Sequence, residues 1–114
     1  MKLLNQPIPL FELKDMAQSR FGNLVKAVVD LEKMSMVVDA EMHADEEQLL
    51  LQQGSNQSNL WGINLYPDKF GTNDFVEFDS MINLRPRQNN LTRGVADEKI
   101  RNQILAVVDQ WIKP

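Results

Sequence analysis

The sequence predicts an α+β fold: a mostly antiparallel sheet with helices packed on one face, in the order helix-strand-strand-helix-strand-strand-helix. Two observations carry this. Apolar residues recur at helical spacing near both ends, at Leu10, Leu13, Met16, Ala17 and Phe21 and again at Ile100, Ile104, Leu105, Val107, Val108, Trp111 and Ile112. Between these ends, short runs alternate apolar and polar side chains, the period of a half-buried strand. Grouped strands and helices of this kind define the α+β class. A length of 114 residues fits one domain spanning residues 1–114.

The elements follow in order. Pro9 is tolerated in a first helical turn and Gly22 is a natural stop, so the first helix is expected from Pro9 to Arg20. From Leu24 to Glu32, Val25, Ala27, Val29 and Leu31 make an apolar face. Along Val37–His43, Met36, Val38, Ala40 and Met42 point to the core, and Val37, Asp39, Glu41 and His43 point away. A hairpin that puts like faces together needs paired positions with an odd sum. A two-residue turn at Lys33-Met34 then sets Lys26 opposite Glu41, although Lys-Met is poor chemistry for a tight turn. Asp45 is the expected N-cap of a short second helix, with Gln48 as its capping-box partner and Gly54 as its stop. Trp61, Ile63 and Leu65 share the core face of a third strand, and Pro67–Asn73 is a loop. Phe75–Arg85 is the expected fourth strand, bulged near Ser80 and ended by Pro86. After a polar loop, Asp97 caps the last helix. The first and last helices should cover the apolar face, leaving an acidic row on the other.

Composition excludes several classes. The absence of cysteine removes disulfides and thiolate zinc sites. No apolar run reaches spanning length, and the start MKLLNQPIPLFELKD acquires proline and charge too early for a secretory signal. A soluble, cytoplasmic protein without a membrane partner is expected. Net charge of −4 argues against non-specific nucleic-acid binding. The charge is segregated: Asp30, Glu32, Asp39, Glu41, Asp45, Glu46 and Glu47 face only Lys33 in one stretch. Arg85, Arg87, Arg93, Lys99 and Arg101 face Asp97 and Glu98 in another.

Two constellations are candidates for chemistry. Asp39, Glu41 and His43 are of types that serve acid–base catalysis or metal binding, but alternate strand residues diverge too far to hold an ion unaided, so no metal is assigned. Arg85, Arg87, Asn90 and Arg93, with Asn89, offer guanidinium forks and amide donors suited to carboxylate or phosphate. Their own acids, such as Asp79 and Glu77, are the competing partners. No cofactor is indicated.

At HADEEQLLLQQGS, LWGINLYP, EFDSMINLRP and NNLTRGV, the chain resembles a small uncharacterised bacterial family known only as a domain of unknown function. The resemblance runs from Pro7 to the last helix and implies a grouping without an activity. It also implies that the family turn carries Gly at position 34, where this chain has Met.

The leading expectation is a binding or interaction module that docks a small anion or an acidic protein partner on the Arg85–Arg93 loop. The alternative is a small hydrolase acting on a phosphoester, with His43 as acid–base. Whether the chain is an enzyme stays open. The opposed charges, with Val28 and Val37 exposed on the first hairpin, also predict a homodimer.

Overall fold

A computed structural model describes residues Met1–Pro114. In chain order it contains β1 (Lys2–Leu3), β2 (Ile8–Pro9), α1 (Leu10–Arg20), β3 (Val25–Asp30), β4 (Ser35–Val38), α2 (His43–Gln52), β5 (Leu60–Leu65), β6 (Val76–Glu77), α3 (Glu98–Trp111) and β7 (Ile112–Lys113). Five strands form one sheet in the order β1-β4-β3-β5-β6, and every neighbouring pair is antiparallel. A two-residue parallel ribbon ties β2 to β7. The α+β class and three helices agree with the sequence. The short terminal strands β1, β2 and β7 have no counterpart in its alternation pattern. No helix is long and apolar enough to cross a membrane.

The helices do not share one face. Leu13 and Ala17 of α1 and Ile104, Val107 and Val108 of α3 join Ala27, Val29, Met36, Val38 and Ile63 in the main core. On the opposite face α2 sets Leu50 over Val28, Val37 and Leu60. Those three sheet residues are apolar on the face expected to meet solvent, and burying them offsets the ordering of a helix marginal alone. Val28 and Val37 are fully buried, so they cannot form the expected dimer contact.

The first hairpin keeps the expected parity in another register. Val29 faces Met36 and Val28 faces Val37, so four residues, Leu31–Met34, close the turn. The chemistry lies in Asp30, whose Oδ1 accepts from the Glu32 and Lys33 backbone N–H groups at 2.9 and 3.1 Å. Ser55 Oγ donates to its other oxygen at 2.5 Å. Met34 takes φ 53°, the left-handed conformation that glycine adopts most easily. Lys26 therefore does not pair with Glu41; it stands opposite Asn64 on β5.

The strand also ends before the acidic row can form. Asp39 turns the backbone left-handed at φ 69°, and β4 stops at Val38. His43 then opens α2 behind an N-cap at Met42, so Asp45 lies within the first turn instead of capping it. Gly54 is the stop, with Ser55 N–H donating to Leu50 O at 3.0 Å and Gly54 N–H to Leu51 O at 3.1 Å, the paired bonds of a Schellman motif.

The long fourth strand is corrected most. Only Val76 and Glu77 pair with β5. Beyond them the chain makes short 3₁₀ turns at Met81–Asn83 and Pro86–Gln88. The Asn83 side chain takes the place of a neighbouring strand: its Oδ1 accepts from Gly62 N–H at 2.8 Å and its Nδ2 donates to Gly62 O at 3.0 Å. Ser80 lies so close that a Cβ on Gly62 would stand 2.6 Å from both Ser80 Cβ and Oγ. Gly62→Ala should therefore cost about 1–3 kcal/mol, the usual range for overpacking. Urea denaturation would read this loss, and Ser80→Gly in the same chain should restore part of it. Undiminished stability in the Gly62→Ala variant would contradict the close approach.

Candidate functional site

Three elements meet over the end of β5. The first turn of α2 brings His43, β3 brings Lys26, and the segment after β6 brings Asp79 and Arg93. Together with Asn64 of β5 they line a cleft of about 180 Å³, flanked by Met42 and Met81. Because β3 and β5 are antiparallel neighbours with Lys26 opposite Asn64, both side chains project from the same face.

His43 is buried, and its Nε2–H donates to Ile63 O at 2.8 Å. Burial is the main influence on its pKa and lowers it; the Ile63 carbonyl and, more weakly, Asn64 oppose this, and Lys26 reinforces it. The imidazole is therefore neutral at neutral pH. Asn64 Nδ2 donates to Glu77 Oε1 at 2.9 Å and to Asp79 O at 3.4 Å. Its Oδ1 is buried with no hydrogen-bond partner, and a neutral His43 with its one proton on Nε2 has no second N–H to offer it. Tyr66 Oη donates to the same Glu77 oxygen at 2.9 Å. Arg93 Nε donates to Asp79 Oδ1 at 2.8 Å in an exposed ion pair, worth little in water. The chain holds no cluster of three His, Asp or Glu side chains able to bind a metal.

The residues expected to act together are separated. Asp39 Oδ1 accepts from Arg20 Nε at 3.1 Å, and Arg20 also lies 4.0 Å from Glu41. With Asp45 these three line a different hollow from His43. Within the basic loop, Arg85 is buried. Its guanidinium donates to Ile82 O, Gln57 O, Leu60 O and Gln88 Oε1 and lies 4.3 Å from the Trp61 ring centroid. Asn90 Nδ2 donates to Asn83 O, Thr92 O and Gly94 O, and its Oδ1 accepts from Ala96 N–H. Arg85 and Asn90 thus hold the loop together from inside. Arg87 is exposed on the outer turn, and Arg93 alone of the four reaches the cleft.

Sequence reasoning missed Lys26 and Asn64 as members of the site, because nothing local marks a polar residue on a central strand as site-forming. It also missed Glu46, which is fully buried with neither carboxylate oxygen hydrogen-bonded. Here a signal existed: His43, Glu46 and Leu50 fall at the i, i+3, i+7 spacing of one helical face. Burial pushes the Glu46 carboxyl up to about 10, with the Ala40 backbone opposing and Asp39 reinforcing.

The fold and cleft define the chain as a small α+β domain with a polar hollow roofed by the start of a helix. It belongs to the family described as "Protein of unknown function (DUF5674)", whose model matches residues 2–111. Comparison with curated proteins and with solved structures gives no match.

Glu46 makes a sharp pH prediction. The unfolded carboxyl ionises near the ordinary 4.5 and the folded one near 10. Between those values the folded state holds a proton that the unfolded state has lost, so stability falls as pH rises, by up to about 1.4 kcal/mol per unit. His43, with its lowered pKa, acts oppositely and only below about 6.5, the ordinary value. Urea denaturation between pH 7 and 9 should show the decline in the native protein and a flatter profile in Glu46→Gln. An unchanged slope would show that Glu46 is ionised in the fold.

Proposed function

We propose that the chain is a binding module for a small anion that also carries a hydrogen-bond donor, held in the cleft between Lys26, His43, Asn64 and Arg93. The carrying observation is the buried, unpartnered Oδ1 of Asn64, a residue that lines the cleft together with Lys26 and Arg93. A buried acceptor without a partner costs about 1–3 kcal/mol, which a donor on the ligand would recover. Arg93 engages Asp79 through Nε, leaving its terminal nitrogens for a carboxylate or phosphate. Lys26 Nζ stands 5.0 Å from the Phe21 ring centroid, a contact to one side that leaves its donors free. Arg85 and Asn90, expected to touch the ligand, instead fix the loop that carries Arg93.

The anion can be free or an acidic side chain of a protein partner, in which case a backbone N–H of that partner supplies the donor for Asn64 Oδ1. Met42 and Met81, 57 % and 62 % exposed, form an apolar rim for such a partner to cover. A homodimer would need this rim or another apolar patch, since the Val28–Val37 contact is buried. Phosphoester hydrolysis would require His43 beside an arginine, and His43 does share the cleft with Arg93. Binding is preferred to hydrolysis because Nε2–H is engaged by Ile63 O and Asp39 and Glu41 are held elsewhere by Arg20.

Titration with inorganic phosphate, followed by amide NMR, tests the proposal. The Asn64 side-chain amide and the backbone around Met81 and Gly94 should shift. Arg93→Ala should weaken binding about tenfold, the loss of one charge-assisted contact, and Arg87→Ala should not. A loss on Arg87→Ala with none on Arg93→Ala would move the site to the outer turn and reject the cleft.

A further inference from the structure

We infer that the molecule carries a second, separate site, for an organic cation with an apolar body, in the cleft between α3 and the segment around Phe70–Phe78. This cleft has a volume of about 410 Å³ and shares no residue with the His43 cleft. Phe70 and Phe75 meet edge to face, with centroids 5.0 Å apart and ring planes at 78°, so the two rings make a corner. Phe78 adds a third ring, Val108 forms part of the buried floor, and Leu105 is 41 % exposed at the rim. Aromatic walls at an angle suit an ammonium and the alkyl or aryl group attached to it, because the ring faces are electron-rich.

The sign of the charge comes from the rim. Asp109 lines the cleft, is exposed, and its carboxylate takes part in no ion pair or hydrogen bond. Lys113 Nζ donates to the Asp109 carbonyl at 2.7 Å, not to the carboxylate. Asp109 also lies in the last turn of α3, where partial negative charge favours a cation; Lys113 already occupies a carbonyl there, which leaves the Asp109 carboxylate as the free acceptor. The Thr72 hydroxyl, the other polar group at this edge besides Asn73, is already used by Lys69 O and Asp74 N–H. One carboxylate cannot hold a metal ion, whereas a monocation with an apolar tail satisfies both the carboxylate and the rings.

The probe is phenethylammonium, with phenethyl alcohol as the neutral control and phenylacetate as the anionic one, each titrated into the whole chain by NMR at neutral pH. The amine should shift Phe70, Phe75, Leu105 and Val108 and bind about tenfold more tightly than the alcohol, one charge contact's worth of discrimination. Phenylacetate should be weakest. Asp109→Asn, an exposed isosteric change, should cut the amine's advantage over the alcohol severalfold, leaving only what the rings provide. Leu105→Trp should fill the cleft and weaken both. Equal binding of amine and alcohol to the native chain overturns the inference. So does an amine preference undiminished by Asp109→Asn, or a set of shifts confined to the acidic hollow around Asp39, Glu41 and Asp45.

Discussion

The architecture depends on one side-chain amide. Asn83 gives Gly62 the donor and the acceptor that an adjacent strand would have supplied, and so closes β5 at a point where no strand follows. Without it, two backbone groups in the buried middle of β5 would be orphaned, a cost comparable to losing the bonds outright. The same Nδ2 also donates to Arg93 O at 3.0 Å, and Ser80 N–H donates to that carbonyl at 2.9 Å. The position of Arg93 is therefore set by the group that finishes the sheet. Arg85 extends the device one residue pair back, to Leu60 O. An edge that would otherwise template further pairing is covered by side chains.

That dependence explains why the basic loop reads as a ligand site in the sequence. Arginine and asparagine in a loop offer donors, and the sequence does not say whether those donors face a ligand or the loop's own carbonyls. Here Arg85 and Asn90 face inward, where turns leave carbonyls without ladder partners. Arg93 faces outward because its backbone, not its side chain, is used for the closure.

Much of the fold is legible where one local rule acts alone. Gly54 ends α2, Asp97 caps α3 with Lys99 N–H donating to its Oδ1 at 2.8 Å, and the hairpin parity follows from alternation. The sequence misleads where two rules compete. Even-position apolar residues from Val76 to Leu84 satisfy a strand pattern, but Ser80 and Asn83 satisfy turns and caps more strongly. A tight turn at Lys33-Met34 rests on length alone, whereas Asp30, an Asx-turn residue, points to a wider one. In the candidate site, Arg93 with Asp79 is legible as a local acid–base pairing. The approach of His43 is not, since it requires α2 to pack on the second face, and that follows only once Val28, Val37 and Leu60 are seen as one buried patch.

The same packing resolves a difficulty in the charges. A chain of net charge −4 repels an anion at long range, and exposed ions beyond roughly 8 Å are screened at physiological salt. What matters at the cleft is the balance of charge within that distance. Glu46, close enough for Lys26 to act on its carboxyl, stays protonated and contributes no negative charge at neutral pH. Asp39 and Glu41 are drawn away by Arg20. Asp79 is neutralised by Arg93, whose terminal nitrogens remain available. Lys26 thus stands without a nearby ionised carboxylate bound to it, against low-dielectric walls that strengthen its field. With Glu46 protonated and Asp39 and Glu41 paired with Arg20, the acids left beside the cleft are Asp79, held by Arg93, and Glu77, held by Asn64 and Tyr66, so Lys26 is the one cation of the hollow without a carboxylate partner.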